Sequence, residues 1–261
     1  NLPLETKQKF IMNNGGQRGY TPFGTENAKG FSVKDLKEFY HVGREFKESD
    51  PEYEFYPKNV WPLEIPEFKE TFNTIYEELE KAGDILLQAL ADAVDVPTDF
   101  FKKMTYNGNT VMRLLHYPPV PDHIEAGQVR ANQHTDINML SLLIASNHDN
   151  NGNSEGSSGL QLLHRDGEWV DVTCDSGSIA VNMGDMLSRM CNDVLPSTVH
   201  RVVNPDPTKN VSRYSLPYFV HPRKDVILKE LDKFKGQGTK YPEISSDDFL
   251  QQRLKEIGLK K

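Results

Sequence analysis

Between Phe68 and Val94 the apolar residues Phe68, Phe72, Ile75, Leu79, Ala82, Leu86, Leu90 and Val94 recur at spacings of three and four. That is the period of an amphipathic helix, and it predicts one long helix stopped before Pro97. A second helix is expected near the far end, where Ser246 or Asp247 can cap a segment carrying Phe249, Leu250, Leu254 and Ile257. From Thr110 to Pro222 the pattern shortens to runs rich in Val, Ile, Leu and aromatics, divided by Gly, Pro, Asn and Asp. The runs TVMRLLHY, HTDINMLSLLI, LQLLHR, EWVDV, SIAVNM, STVHRVV and RYSLPYFV are expected strands. Asp166-Gly167, between the third and fourth, marks a hairpin, because both residues accept the positive φ of a tight turn. The polar stretch SNHDNNGNSEGSS is expected to be a mobile loop between two strands. The region from Asn1 to about Pro66 is turn-rich, as in GGQRGYTPFGTENAKG, and reads as long loops laid over a core.

Helices do not alternate with these strands, which argues against a parallel α/β sheet. The expected fold is mainly β with flanking helices, a double-stranded β-helix (jelly roll) or a related barrel. With 261 residues, 37% hydrophobic and 26% charged, the chain can bury one large core. The net charge of −8 is interspersed, so no basic face is available for phosphates and a nucleic-acid partner is not expected. The longest apolar run, Met139 to Ala145, falls far short of the roughly 18 residues of a membrane span. Two cysteines, Cys174 and Cys191, fit a reducing compartment, and cytoplasmic residence is the expectation. NLPLETKQKF has no basic segment followed by an apolar core and no initiating Met, so a segment upstream is expected to be missing.

Residues i and i+2 of a strand share a face, so His134 and Asp136 in HTD present an imidazole and a carboxylate together. His200, on a later strand, can supply a third ligand. Two His and one carboxylate on one face of an octahedron suit a non-haem Fe(II) oxygenase, though Zn(II) also accepts such ligands. Arg213 and Ser215 in RYS again share a face, and a guanidinium beside a hydroxyl is suited to grip a carboxylate. Taken singly, each histidine also reads as a strand residue bonded to a neighbour, and Arg213 as a surface ion pair. His41, His123, His148, His164 and His221 have no partner at ligand spacing and are expected to be structural or exposed. His116 is expected to pack, and Cys191 to be a buried thiol near the site mouth.

The run from Gly159 to Pro222, together with QRGYTPFGTENAKG, RLLHYPP and HTD, closely resembles the isopenicillin N synthase-like branch of the Fe(II)/2-oxoglutarate-dependent dioxygenases, over nearly the whole chain. The resemblance implies three regions: residues 1–109 as an N-terminal loop and helix region lacking its first segment, 110–222 as the jelly-roll core, and 223–261 as a helical extension. It implies His134, Asp136 and His200 as iron ligands, and Arg213, Ser215 and Tyr117 around the distal carboxylate of 2-oxoglutarate. Many relatives carry Asn-Tyr-Tyr-Pro where this chain has Leu115, His116, Tyr117 and Pro118, so the Asn contribution is absent. The implied activity is oxidation of a small organic molecule by O2, with 2-oxoglutarate decarboxylated to succinate and CO2, in a protein plausibly monomeric. Walls for that molecule are expected from Arg18, Tyr20, Phe23 and Phe219. Two alternatives are a 2-oxoglutarate-independent iron oxidase of the same branch and a catalytically silent metal-binding sensor.

Overall fold

The computed structural model describes residues 2–12, 17–145, 159–173, 177–236 and 238–259. Along the chain run α1 (Leu4–Gln8), β1 (Gly19–Thr21), β2 (Glu38–Gly43), α2 (Phe68–Ala93), α3 (Phe100–Thr105) and β3 (Val111–Tyr117). Then come β4 (Ala131–His134), β5 (Leu140–Ala145), β6 (Leu160–Leu163), β7 (Trp169–Asp171), β8 (Ala180–Met183) and α4 (Asp185–Met190). The remainder holds β9 (His200–Val202), β10 (Arg213–Val220), the short β11 (Ile227–Leu228) and β12 (Ile244–Ser245), and α5 (Ser246–Glu256).

The larger sheet has the order β1-β2-β3-β10-β5-β8, the smaller β4-β9-β6-β7, and all neighbours are antiparallel. From β3 onward the chain alternates between the sheets except at the β6–β7 hairpin, so two sheets wrap one interior. This is the double-stranded β-helix. The two-residue alternation of β10 sets Tyr218 and Val220 against α2, while Arg213, Ser215, Pro217 and Phe219 face the interior between the sheets. On the outer face, the Tyr76 ring of α2 meets Tyr218 edge-on at 5.0 Å, and Leu79 and Leu87 join Met112, Leu142 and Val220 in the main core. Each such leucine contributes about 1.5–3 kcal/mol by leaving water.

Three expectations are corrected. HTDINMLSLLI is two strands: His134 ends β4 in the smaller sheet, and Leu140 opens β5 in the larger. The crossing between them is stabilised by Asn138, whose amide donates to the Leu140 carbonyl and to Ser141 Oγ. The early region is not loops alone, since β1 and β2 extend the larger sheet; EFYHVG pairs along β3 from Glu38–His116 to Gly43–Val111. Finally, α5 is capped one residue earlier than expected, by Ser245, whose hydroxyl accepts the Asp248 N–H at 3.0 Å.

The long helix and the hairpin conform to the spacing, with Gly167 at φ 92° between β6 and β7. The loop expected to be mobile and Cys174 lie outside the described residues. Among the described residues, no helix is long and apolar enough to cross a membrane.

Candidate active site

Residues of eight strands, most of them alternate ones, line a cavity of about 420 Å³ between the sheets. On β10 and just beyond it, Arg213, Ser215, Pro217, Phe219 and His221 all face it, as do Val111, Arg113, Leu115 and Tyr117 on β3. Strict alternation on two paired strands therefore turns one stripe of sequence into one wall.

At one end stand His134, Asp136 and His200, whose potential ligand atoms lie within 4.8 Å of one another. His134 Nδ1 is 2.7 Å from the Asn132 carbonyl and His200 Nδ1 is 3.0 Å from the Thr198 carbonyl. Each ring therefore carries its proton on Nδ1 and leaves the Nε2 lone pair free to bind a metal. Asp136 Oδ2 accepts from Ser141 Oγ at 2.6 Å and from Asn182 Nδ2 at 3.0 Å, while Oδ1 faces His200 Nε2 at 3.7 Å. Burial alone would raise the Asp136 carboxyl; His200, His134 and these two hydrogen bonds outweigh it and hold the group below its usual range. Burial, and then His200, push His134 down to about 4. Two imidazoles and one carboxylate, each with its non-ligating atom already bonded, form a donor set that fits non-haem Fe(II).

Arg213 is buried beside Ser215, Nη1 to Oγ 3.4 Å, and its guanidinium lies over the Tyr117 ring at 5.0 Å. Arg213 and Tyr117 are direct register partners on β10 and β3. Buried Arg130 stands within Coulombic reach, pushed down to about 10 by burial and then by Arg213. Neither guanidinium has a carboxylate partner among the described residues, and Nε of each lacks any partner. Two uncompensated buried cations favour a bound anion.

Of the residues expected to contact substrate, Phe219 lines the cavity and the other three do not. Arg18 is buried against Gly43, where its guanidinium fills the space a Cβ would need. Tyr20 points its hydroxyl at Glu38 on the outer side of the sheet, and Phe23 is 40% exposed. Adjacency in the early loop misled here, because β1 leaves the cavity edge.

Conversely, His41 and His221 do line the cavity. His221 donates Nδ1–H to the Phe219 carbonyl at 3.0 Å, and its buried Nε2 has no hydrogen-bond partner among the described residues. Extending the two-residue step from Arg213 reaches it, which is the signal that spacing to a metal ligand could not provide. His116 bonds Glu38 at 2.8 Å and Ser212 at 3.1 Å and stacks on Tyr214. Cys191 is buried in the main core instead of at the mouth.

A charged network also went unread. Glu26 accepts from Lys37 at 2.6 Å and from both Nη atoms of Arg113 at 3.3 Å, and Lys37 also contacts Asp35 at 2.9 Å. Arg113 Nε reaches His41 Nε2 at 2.6 Å, and the guanidinium lies 5.2 Å from the Phe219 ring centre. These paired charges stand on the cavity wall. Leu250, Arg253, Leu254 and Ile257 of α5 and its end close another side at helical spacing, and Glu256 meets Lys29 of the early loop at 3.0 Å.

Comparison with known proteins agrees with this geometry. The model of the 2OG-Fe(II) oxygenase superfamily matches residues 108–222, and that of the non-haem dioxygenase in morphine synthesis N-terminal matches residues 1–64. The 2-oxoglutarate-Fe(II) type oxidoreductase hxnY of Emericella nidulans is 33% identical over 268 residues, covering 98% of this chain and 73% of its own length. A Caulobacter crescentus crystal structure assigned to the 2OG-Fe(II) oxygenase family is 44% identical, with TM-score 0.84 over 98% of this chain and 81% of that one. A full-length Neurospora crassa protein, crystallised in complex with alpha-KG and thymine, is 30% identical, with TM-score 0.81 over 98% of this chain and 79% of that one.

Proposed function

This chain belongs to the 2OG-Fe(II) oxygenase superfamily and is an Fe(II)- and 2-oxoglutarate-dependent dioxygenase acting on a small molecule, and on that premise we propose how its residues divide the work. His134 and His200 through Nε2, and Asp136 through Oδ1, hold Fe(II). Arg213 and Ser215 hold the distal carboxylate of 2-oxoglutarate, with Tyr117 beside them. The bound iron supplies the redox chemistry that couples O2 and the decarboxylation of 2-oxoglutarate, to succinate and CO2, with oxidation of the substrate.

The observation that carries this reading is the convergence, on one cavity, of three ligand atoms within 4.8 Å and a buried guanidinium with no carboxylate partner among the described residues. The wall residues orient the reactants and exclude water, leaving a narrow range of C–H bonds within reach of the centre. The strand face bearing Arg213 continues to Phe219 and His221, which offer a ring surface and an unpartnered acceptor nitrogen. A flat molecule carrying an N–H or O–H donor suits that pair, and the thymine bound by the Neurospora relative is of this kind. The same reading takes the enzyme as working in a reducing, cytoplasmic setting, which suits Cys191 as a buried free thiol.

The test is an anaerobic titration of the metal-free chain. A visible charge-transfer band that forms only when Fe(II) and 2-oxoglutarate are both present, and that His200→Ala removes, is expected. A band that persists in that variant would overturn the ligand assignment.

A further inference from the structure

The pairing of β4 with β9 contains an irregularity on which the metal centre depends. Ala131 pairs with Val202 and His134 with His200, so three steps along β4 answer two along β9. Directly opposed residues on antiparallel strands share a face, and a slip of one residue turns side chains to the other face. Continued regularly from Ala131, the ladder would set Gln133 opposite His200 and send His134 to the far side. The extra residue, a β-bulge, is what puts both imidazoles on the cavity face.

A bulge takes a backbone N–H out of the ladder, and a buried N–H needs another acceptor. The Asn132 N–H finds one in Asp35 Oδ1 at 3.0 Å, and the Asn132 side-chain amide approaches the same oxygen at 3.4 Å. The Asn132 carbonyl in turn accepts His134 Nδ1–H. Asp35 is 1% exposed, and its second oxygen is held 2.9 Å from Lys37, which is itself anchored on Glu26. Asp35 thus bonds the bulged residue from a loop almost a hundred positions earlier, without touching the ligand cluster.

We propose that Asp35 is a positioning residue for metal binding, its carboxylate locking the bulge that brings His134 and His200 to one face. This rests on the reading of His134, Asp136 and His200 as the metal ligands. Loss of such an outer partner weakens metal affinity by about 10–100-fold.

Co(II) binding to the metal-free full chain tests it, by calorimetry and by the visible ligand-field spectrum, well below the unfolding temperature. Asp35→Ala should weaken Co(II) within that 10–100-fold range. Asp35→Asn keeps an acceptor oxygen without its charge and should weaken it less, by about three- to tenfold, with a shifted spectrum. Unchanged Co(II) affinity in Asp35→Ala, or a lowered unfolding temperature alone, overturns the proposal. If Asp35→Ala does not fold, Asp35→Asn decides, and wild-type affinity with a wild-type spectrum there overturns it. His134→Ala runs alongside: Co(II) binding that survives this change refutes the ligand assignment itself, whereas loss in His134→Ala with no effect at Asp35 refutes only the role of Asp35.

Discussion

Ser141 Oγ lies 2.6 Å from Asp136 Oδ2, and this contact commits one oxygen of the carboxylate to the protein and turns the other toward the two histidines. Ser141→Ala leaves Asn182 as the remaining donor to that oxygen. Metal affinity should fall by about tenfold without being abolished. Titration with Mn(II) followed by electron paramagnetic resonance measures it, and unaltered affinity would show that Ser141 serves packing alone.

Replacing a ligand itself has a larger effect. His200→Ala and Asp136→Ala should each eliminate succinate formation and 2-oxoglutarate-dependent oxygen uptake while leaving the far-ultraviolet circular dichroism unchanged. Asp136→Glu should also fail, because one added methylene moves the carboxylate away from the geometry set by Ser141 and Asn182. Full activity in any of the three variants contradicts the assignment.

At the cosubstrate end, Arg213→Ala removes a charge-assisted pair worth roughly 1.5–3 kcal/mol, so the apparent constant for 2-oxoglutarate should rise about ten- to a hundredfold. Arg213→Lys should recover part of the loss, since the charge survives and the planar fork does not. Succinate formation against 2-oxoglutarate concentration is the assay. An unshifted constant in Arg213→Ala is the contrary result.

Glu38 ties three elements together, bonding Lys7 at 2.6 Å and His116 at 2.8 Å and accepting from the Tyr20 hydroxyl. Burial would raise its carboxyl, but His116, Lys7 and Tyr20 prevail and hold it down at about 2. A depressed carboxyl stabilises the fold above its unfolded value of about 4.3, and that stability is lost as pH falls toward the folded value. Urea unfolding should therefore find Glu38→Gln less stable by about 2–3 kcal/mol at pH 7, with the gap closing toward about pH 2. A gap that stays constant with pH would falsify the ionic account.

Much of the site was legible because its residues sit two apart in sequence, Arg213 with Ser215 on β10, and His134 at the end of β4 with Asp136 just beyond it. His134 with Asp136, and Arg213 with Ser215, needed only the alternation of side chains to be grouped, and the helical period of Phe68 to Val94 needed only local spacing. What escaped depends on contacts that local spacing does not carry. The break inside HTDINMLSLLI comes from the Asn138 turn and a change of sheet, neither of which interrupts the apolar run. Asp35 gains its role from a backbone N–H 97 positions away. His221 was passed over because it was sought at metal-ligand spacing, whereas it belongs to the alternation that starts at Arg213.

The contact between Lys29 and Glu256, 3.0 Å, has a consequence for how the molecule is made. Lys29 of the early loop and Glu256 of α5 are more than two hundred positions apart, yet the two segments stand in one wall. That side of the cavity therefore takes its final shape only when these two distant stretches have folded against each other. A substitution on the cavity face of α5, at Leu250 or Leu254, therefore acts on the shape of the pocket, however far it lies in sequence from His134.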